Sequence, residues 1–218
     1  MDVRPLFLSI KTAFMATIFT FILGILAARL VLKTGKYKGV LDGLFTLSMV
    51  LPPTVVGFFL LVFLGNNGPL SYFYNLFNFK IIFTYPAAVI ASVVVSFPLM
   101  YRTSLGAFEQ IDINYIYAAR TLGFSERKIF LKIILPMAKP GLLSGVVLAF
   151  ARALGEFGAT IMIAGNIEGR TQTVSTAIYT AVQAGKRDIA FRWSLIISLF
   201  SLIAMILMNY LSTEKRQK

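Results

Sequence analysis

Residues 44–64 read LFTLSMVLPPTVVGFFLLVFL, a run that contains no charged side chain. Few folds accommodate such a stretch. A helix apolar on every side belongs in the interior of a large protein or in a membrane, and about 20 predominantly apolar residues suffice to cross a hydrocarbon core. Residues 6–32, 81–101, 141–163 and 193–211 are similarly apolar. The first of these carries only Lys11 and Arg29, near its ends, where long side chains reach the interface. In hydrocarbon every backbone polar group needs a partner within the protein, so each run is predicted to be a helix. With 57% hydrophobic and 14% charged residues, the chain has too little polar surface to cover these segments in water. The expectation is an all-α, polytopic transmembrane helix bundle of five spans, multi-pass in the cell membrane.

Five spans put the termini on opposite faces, and the Lys/Arg bias assigns them. One face receives Lys33, Lys36 and Lys38, then Arg102, Arg120, Arg127, Lys128, Lys132 and Lys139, then Lys215, Arg216 and Lys218. The other receives Arg4, Lys80, Arg170, Lys186, Arg187 and Arg192. Twelve bases against six predict an N-terminus outside and a C-terminus in the cytoplasm. The opening MDVRPLF lacks a basic leader region and a small-residue cleavage site, so the first run reads as a retained span. Tyr72, Tyr74 and Tyr85 fall near outer ends and read as interface anchors.

Several function classes are excluded. The net charge of +12 is parcelled between apolar runs rather than gathered on one face, which argues against nucleic acid. There is no histidine and no cysteine, which removes thiolate sites, the commonest metal ligand and the commonest general base. The nine Asp and Glu residues are scattered singly, not in the constellations an intramembrane lipid transferase needs. No G-x-x-x-x-G-K-[ST] phosphate loop is present, so ATP would have to be handled by another polypeptide. The chain is expected to be no enzyme, with no catalytic residue, cofactor or metal of its own.

Between the third and fourth runs, residues 107–140 form a basic, sharply punctuated segment. Asp112 or Asn114 suits a helix N-cap, and Gly123 a helix stop. Ser125 and Glu126 open a second helix, in which Ile129, Phe130, Ile133 and Ile134 recur at helical spacing until Pro136 stops or kinks it. Two such helices suit a groove on a partner protein or a surface of anionic headgroups; the residues alone leave both open. Farther on, TVSTAIYTAVQAG places Val174, Ala177, Ile178, Ala181 and Val182 on one helical face with polar residues opposite. It predicts a short amphipathic helix ended by Gly185.

The spacing Ala118-Ala119-x-x-x-Gly123, then nine residues, then Ile133-x-Leu135-Pro136, resembles the EAA loop of ABC importer permeases. The resemblance implies a type I importer permease fold whose loop lies across a cleft on an ATPase subunit and transmits nucleotide-driven closure. In that role the Ala pair permits close helix approach, Gly123 makes the turn, and Ile133, Leu135 and Pro136 anchor the loop to the next span. Tyr117 stands where the motif has Glu, so docking there falls to its ring and hydroxyl. FARALGEFGATIMIAGNIEGRTQTVSTAIY (150–179) and LPPTVVGFFLL (51–61) are similar to the molybdate-type permeases of this family. Sulfate-type permeases share the Gly-Glu-aromatic-Gly core but match the continuation from Asn166 to Thr171 less well. The likeness runs over about residues 8–210 of a single permease domain, 1–218. It implies a homodimer around one pathway for molybdate or tungstate. It also implies two ABC ATPase subunits that bind ATP and Mg, an extracytoplasmic oxyanion-binding protein, and a setting of membrane lipid. A sulfate permease and a passive anion channel are the alternatives.

Two places in the runs are candidates to line such a pathway. Pro52 and Pro53 remove backbone donors, which hydrocarbon tolerates where the freed carbonyls face protein or a water-filled cavity. Together with Thr54 they read as pathway wall or as a plain packing kink. Arg152 and Glu156 stand four apart and are expected on one helix face, paired, because a lone charge costs at least about 2.5–3.5 kcal/mol there. They read equally as a pathway charge or as a structural pair. Gly155, Gly158 and Gly165 predict a stripe for close helix packing.

Overall fold

The structure is a computed structural model that describes residues 2–65, 68–69, 71 and 80–213. The described residues form helices α1 (Arg4–Lys33), α2 (Lys38–Val50), α3 (Pro53–Leu64), α4 (Tyr85–Glu109) and α5 (Ile113–Thr121). They continue with α6 (Glu126–Met137), α7 (Lys139–Leu154), α8 (Gly158–Ile163), α9 (Val174–Gln183) and α10 (Arg187–Thr213). No strand occurs among them. Tyr72, Tyr74 and the C-terminal bases Lys215, Arg216 and Lys218 lie outside the described residues.

Three helices, α1, α4 and α10, are long and apolar enough to cross a membrane. Two bent pairs, α2 with α3 and α6 with α7, raise the number to as many as five if each pair is one span. α1 and α4 pack together, with Ile25, Ala28 and Val31 of α1 buried in one cluster with Met100, Tyr101 and Leu105 of α4. Gly24 lets α1 approach α4 closely, since a Cβ there would lie 2.8 Å from Met100 Cγ. Two hydrophobic clusters anchor the bundle, one around Ala28, Tyr101, Phe108 and Leu142, the other around Val56, Ala91, Ala159 and Ile163.

The run 44–64 is not one span-length helix. α2 and α3 meet at 110°. The cause is local: Leu51 and Pro52 each precede a proline, which drives both into extended conformations, with ψ of 141° and 137°. Each half is then held by a different neighbour. On α2, Ser48 donates to the Val94 carbonyl (2.9 Å), Phe45 packs edge-on to Phe97 and Tyr101, and Asp42 accepts from Tyr101 Oη (2.8 Å) and pairs with Arg102 (3.0 Å). On α3, Gly57 lies so near α8 that a Cβ would sit 2.8 Å from Ala159 Cα.

The run 141–163 is also broken, at Gly155-Glu156-Phe157 between α7 and α8. The predicted glycine stripe is likewise replaced by separate roles. Gly155 faces open space beyond its own helix, Gly158 packs on Pro53, and Gly165 turns the chain at φ +68°. In the third run, α4 starts at Tyr85 and continues through Pro98 to Glu109. The amphipathic helix is present as α9, capped by Thr173 and followed by Gly185 at φ +71°. Its faces differ from the prediction: Val182 is 56% exposed and Thr176 fully buried. Thr176 tolerates burial because its hydroxyl donates to the Thr173 carbonyl (3.0 Å).

Candidate functional site

The basic segment gathers where α1 and α4 end. Asp112 caps α5 by accepting the Asn114 N–H (2.9 Å). At the other end Phe124 N–H reaches the Ala119 carbonyl (3.0 Å) and Gly123 N–H the Arg120 carbonyl (2.9 Å), with Gly123 at φ +76°. That is a Schellman closure, and it requires a residue that enters the left-handed region without strain. Ser125 caps the next helix, and Arg120 Nε donates to Glu126 Oε1 (2.8 Å), which clips the turn shut. That hydrogen bond from Arg120 holds the Glu126 carboxyl below its usual range.

α6 docks the segment on the bundle. Ile129 is fully buried, and Phe130 packs edge-on to Phe108 (5.7 Å) beneath the Arg29 guanidinium, 4.1 Å from its ring centre. Arg29 therefore ties α1 to this segment. Residues Phe130–Ile134 form a π-helical turn in which Leu135 N–H bonds the Phe130 carbonyl. Pro136 marks the expected kink rather than an immediate stop. The wide turn just before it removes the crowding a proline meets in a regular helix, and α6 runs to Met137 before bending 70° into α7. Of the motif residues, Ala119 is buried, Ile133 and Leu135 half-buried, and Ala118, Gly123 and Pro136 exposed. Tyr117, 54% exposed, stands one turn from the exposed Ile113, while the exposed Tyr115 and Leu122 fall on the other side of the helix.

The other candidates converge at the two breaks. Gly158 packs on the proline pair: a Cβ there would lie 2.9 Å from Pro53 Cβ and 3.2 Å from Thr54 N. Pro52 and Thr54 are exposed. Arg152 Nη1 pairs with Glu156 Oε2 at 2.9 Å, the side chains being 32% and 1% exposed. The pairing is as expected, but the shared helix face is not: α7 ends at Leu154 and Glu156 lies in the break. Glu156 Oε1 accepts the Ala159 N–H (2.8 Å) and so caps α8. The carboxylate thus bridges both halves of the broken run. The 16-residue α7 sets this junction about 24 Å from the basic segment.

Phe157 and Tyr179 were not singled out from the sequence, yet their rings meet at 5.1 Å beside the junction. No local pattern marks that contact, because α9 is brought to it by the chain's return. A cavity of about 620 Å³ between α1, α2, α3 and α4 is lined by Leu, Phe and Val. Its one hydroxyl, Ser48, is engaged by Val94, so it offers an anion no donor.

A bundle with two broken apolar runs and a clipped basic segment defines a membrane transport component. The chain belongs to the family of binding-protein-dependent transport system inner membrane components, whose model matches residues 20–217. It is 43% identical over 212 residues to the putative molybdenum transport system permease protein YvgM of Bacillus subtilis, covering 96% of this chain and 93% of that one. It is 39% identical over 221 residues to the molybdenum transport system permease protein ModB of Haemophilus influenzae, covering 100% and 96%. The sulfate transport system permease protein CysT of Salmonella typhimurium is 34% identical over 208 residues, covering 94% and 75%. Among solved structures, inward-facing MetNI methionine ABC transporter matches with a TM-score of 0.75 at 16% identity, covering 97% and 94%. A bacterial ABC transporter involved in alginate import matches with a TM-score of 0.80 at 17% identity, covering 97% and 79%. These two likenesses concern the fold.

Proposed function

We propose that this chain is the permease subunit of an ATP-driven importer of molybdate or tungstate. The observation that carries the reading is the 43% identity, over nearly the full length of both chains, to a putative molybdenum permease. Sulfate is the second reading, supported by the 34% identity to a sulfate permease.

In this reading the chain is one permease domain with five spans, its N-terminus outside and C-terminus cytoplasmic, with α2 and α3 making one span and α7 with α8 another. Two copies enclose one pathway. The segment 107–140 is cytoplasmic and seats the exposed face around Tyr117 in a cleft of an ABC ATPase, which binds ATP and Mg. The Ala119–Gly123 turn and the Arg120–Glu126 clip keep that face in one shape, and Ile129, Phe130, Ile133 and Leu135 join it to the bundle. Closure of the ATPases pulls the segment, and α7 carries the motion to the junction of Pro52, Pro53, Thr54, Arg152 and Glu156. An uncovered guanidinium in a span needs water or protein beside it. Arg152 is therefore turned to the pathway, where it attracts a doubly negative oxyanion, while Glu156 tempers its charge so that the ion leaves again. A separate extracytoplasmic protein delivers the ion. A passive channel would leave the clipped segment without a client.

The test is reconstitution. Purified with its ATPase and binding protein in proteoliposomes, the chain should support ATP-dependent uptake of molybdate and tungstate in preference to sulfate. Uptake without ATP, or preference for sulfate, would overturn the reading.

A further inference from the structure

The corner between α2 and α3 leaves a groove against α1. Ser48 and Phe45 hold α2 to α4, while Gly57 draws α3 to α8. The 620 Å³ cavity lies between them, lined along α1 by Leu23, Leu26 and Leu30 and faced by Leu47 of α2 and Phe59 of α3. All five of these side chains are exposed, so the cavity is open at its rim. With Ser48 engaged, its walls offer no hydrogen bond, and whatever enters it must be hydrocarbon.

This apolar groove has a charged end. Leu23, Leu26, Leu30 and Lys33 succeed one another at steps of three and four residues, so one face of α1 leads from the groove to the Lys33 ammonium. Lys36 follows in the exposed turn before α2, next to Tyr37, an amphipathic ring of the kind that sits at headgroup level. Neither lysine has an ion pair among the described residues. The described acids at this end are already engaged: Asp42 by Arg102, Glu109 by Lys38, Glu126 by Arg120, and Asp112 by the start of α5. Lys33 lends Glu126 only its field. A second copy in the same membrane orientation would bring its own surplus of bases to this end. Hydrocarbon carrying an anionic head suits both the groove and its rim.

We propose that the groove holds an acyl chain of an anionic phospholipid, in the leaflet on the side of the basic segment, with the phosphate at Lys33 and Lys36. Packing alone discriminates little, because the surrounding lipid tails are as apolar as the groove. Selection comes from the headgroup, since each base near the membrane surface adds attraction for an anionic lipid. The site depends on the chain lying in a membrane and not on which ion is carried.

The test titrates the purified full-length chain in detergent with phosphatidylglycerol and with phosphatidylcholine of the same acyl length. Bound lipid is counted by native mass spectrometry. The wild-type chain should retain phosphatidylglycerol at least about fivefold better. Lys33→Gln with Lys36→Gln should abolish that preference and leave phosphatidylcholine binding unchanged. Leu23→Trp with Leu47→Trp, both at exposed positions, fills the groove and should lower retention of both lipids at least about fivefold. Equal retention of the two lipids by the wild-type chain overturns the proposal, and so does a groove-filled variant that keeps its phosphatidylglycerol. If that variant also loses self-association, the groove belongs to a second copy instead. Competition by glycerol phosphate as strong as by the whole lipid overturns it too, because the lysines would then take a free phosphate without the groove.

Discussion

Removing Arg152 strands a carboxylate. Glu156 is 1% exposed, with one oxygen on the Ala159 N–H and the other on Arg152. Arg152→Met keeps the first contact and deletes the second, leaving a buried charge half-compensated. Breaking a buried pair from one side costs about 3–5 kcal/mol. Glu156→Gln is milder. Its amide oxygen still accepts from Ala159, and the stranded Arg152 is 32% exposed, so the loss should be about 1–3 kcal/mol. The double variant Arg152→Met with Glu156→Gln buries no charge and should lie within about 1 kcal/mol of wild type, since buried pairs are often replaceable by neutral residues. Trp193, the sole tryptophan and 6% exposed, serves as reporter in denaturant or heat unfolding in detergent. The expected order is wild type close to the double variant, then Glu156→Gln, then Arg152→Met. An Arg152→Met protein as stable as wild type would refute the reasoning. The same double variant also addresses transport. A tenfold or greater loss of uptake, about 1.4 kcal/mol on the barrier, places the pair on the ion's path; uptake at wild-type rate makes it structural only.

Gly123→Ala meets no atom within 4 Å but must hold φ near +76°, which costs about 1–2 kcal/mol, and should weaken ATPase association in pull-down titrations without lowering expression. Gly123→Asn, which tolerates that region, should recover much of the association. Cysteines placed at Lys36 or Ser125 should be shielded from an impermeant thiol reagent in intact cells and one at Gly169 labelled, on a background with no native cysteine. Labelling of Ser125 from outside would sink the coupling role. Because Arg120 lowers the Glu126 pKa, the clip contributes above the ordinary carboxylate pKa and is lost as pH falls through the depressed value. Carboxyl NMR should show Glu126 titrating below 4.5, and Arg120→Met should return it to the usual range.

Much of this molecule was local enough to read from the residues. Runs of apolar side chains dictate helices because hydrocarbon leaves backbone groups no other partner. The turn at Gly123 and the caps at Asp112, Ser125 and Gly185 were also legible, since each depends on neighbours a few residues away. The kink at Pro136 was legible too, but the π-helical turn before it was not, because such a turn has no distinct sequence period. The proline pair announced a disturbance at 52–53, but only packing made it a 110° corner: α2 is held to α4 by Asp42, Phe45 and Ser48, and α3 to α8 through Gly57. The spacing of Arg152 and Glu156 foretold their pairing. That Glu156 would leave the helix to cap α8 was not marked by the spacing, and the packing of Gly158 on Pro53 depended on residues far apart in sequence. Side-chain type and short-range spacing determine which segments are helical and where they can bend. Which bends meet is decided by contacts such as Gly158 on Pro53 and Phe157 on Tyr179, between segments that sequence spacing alone does not bring together.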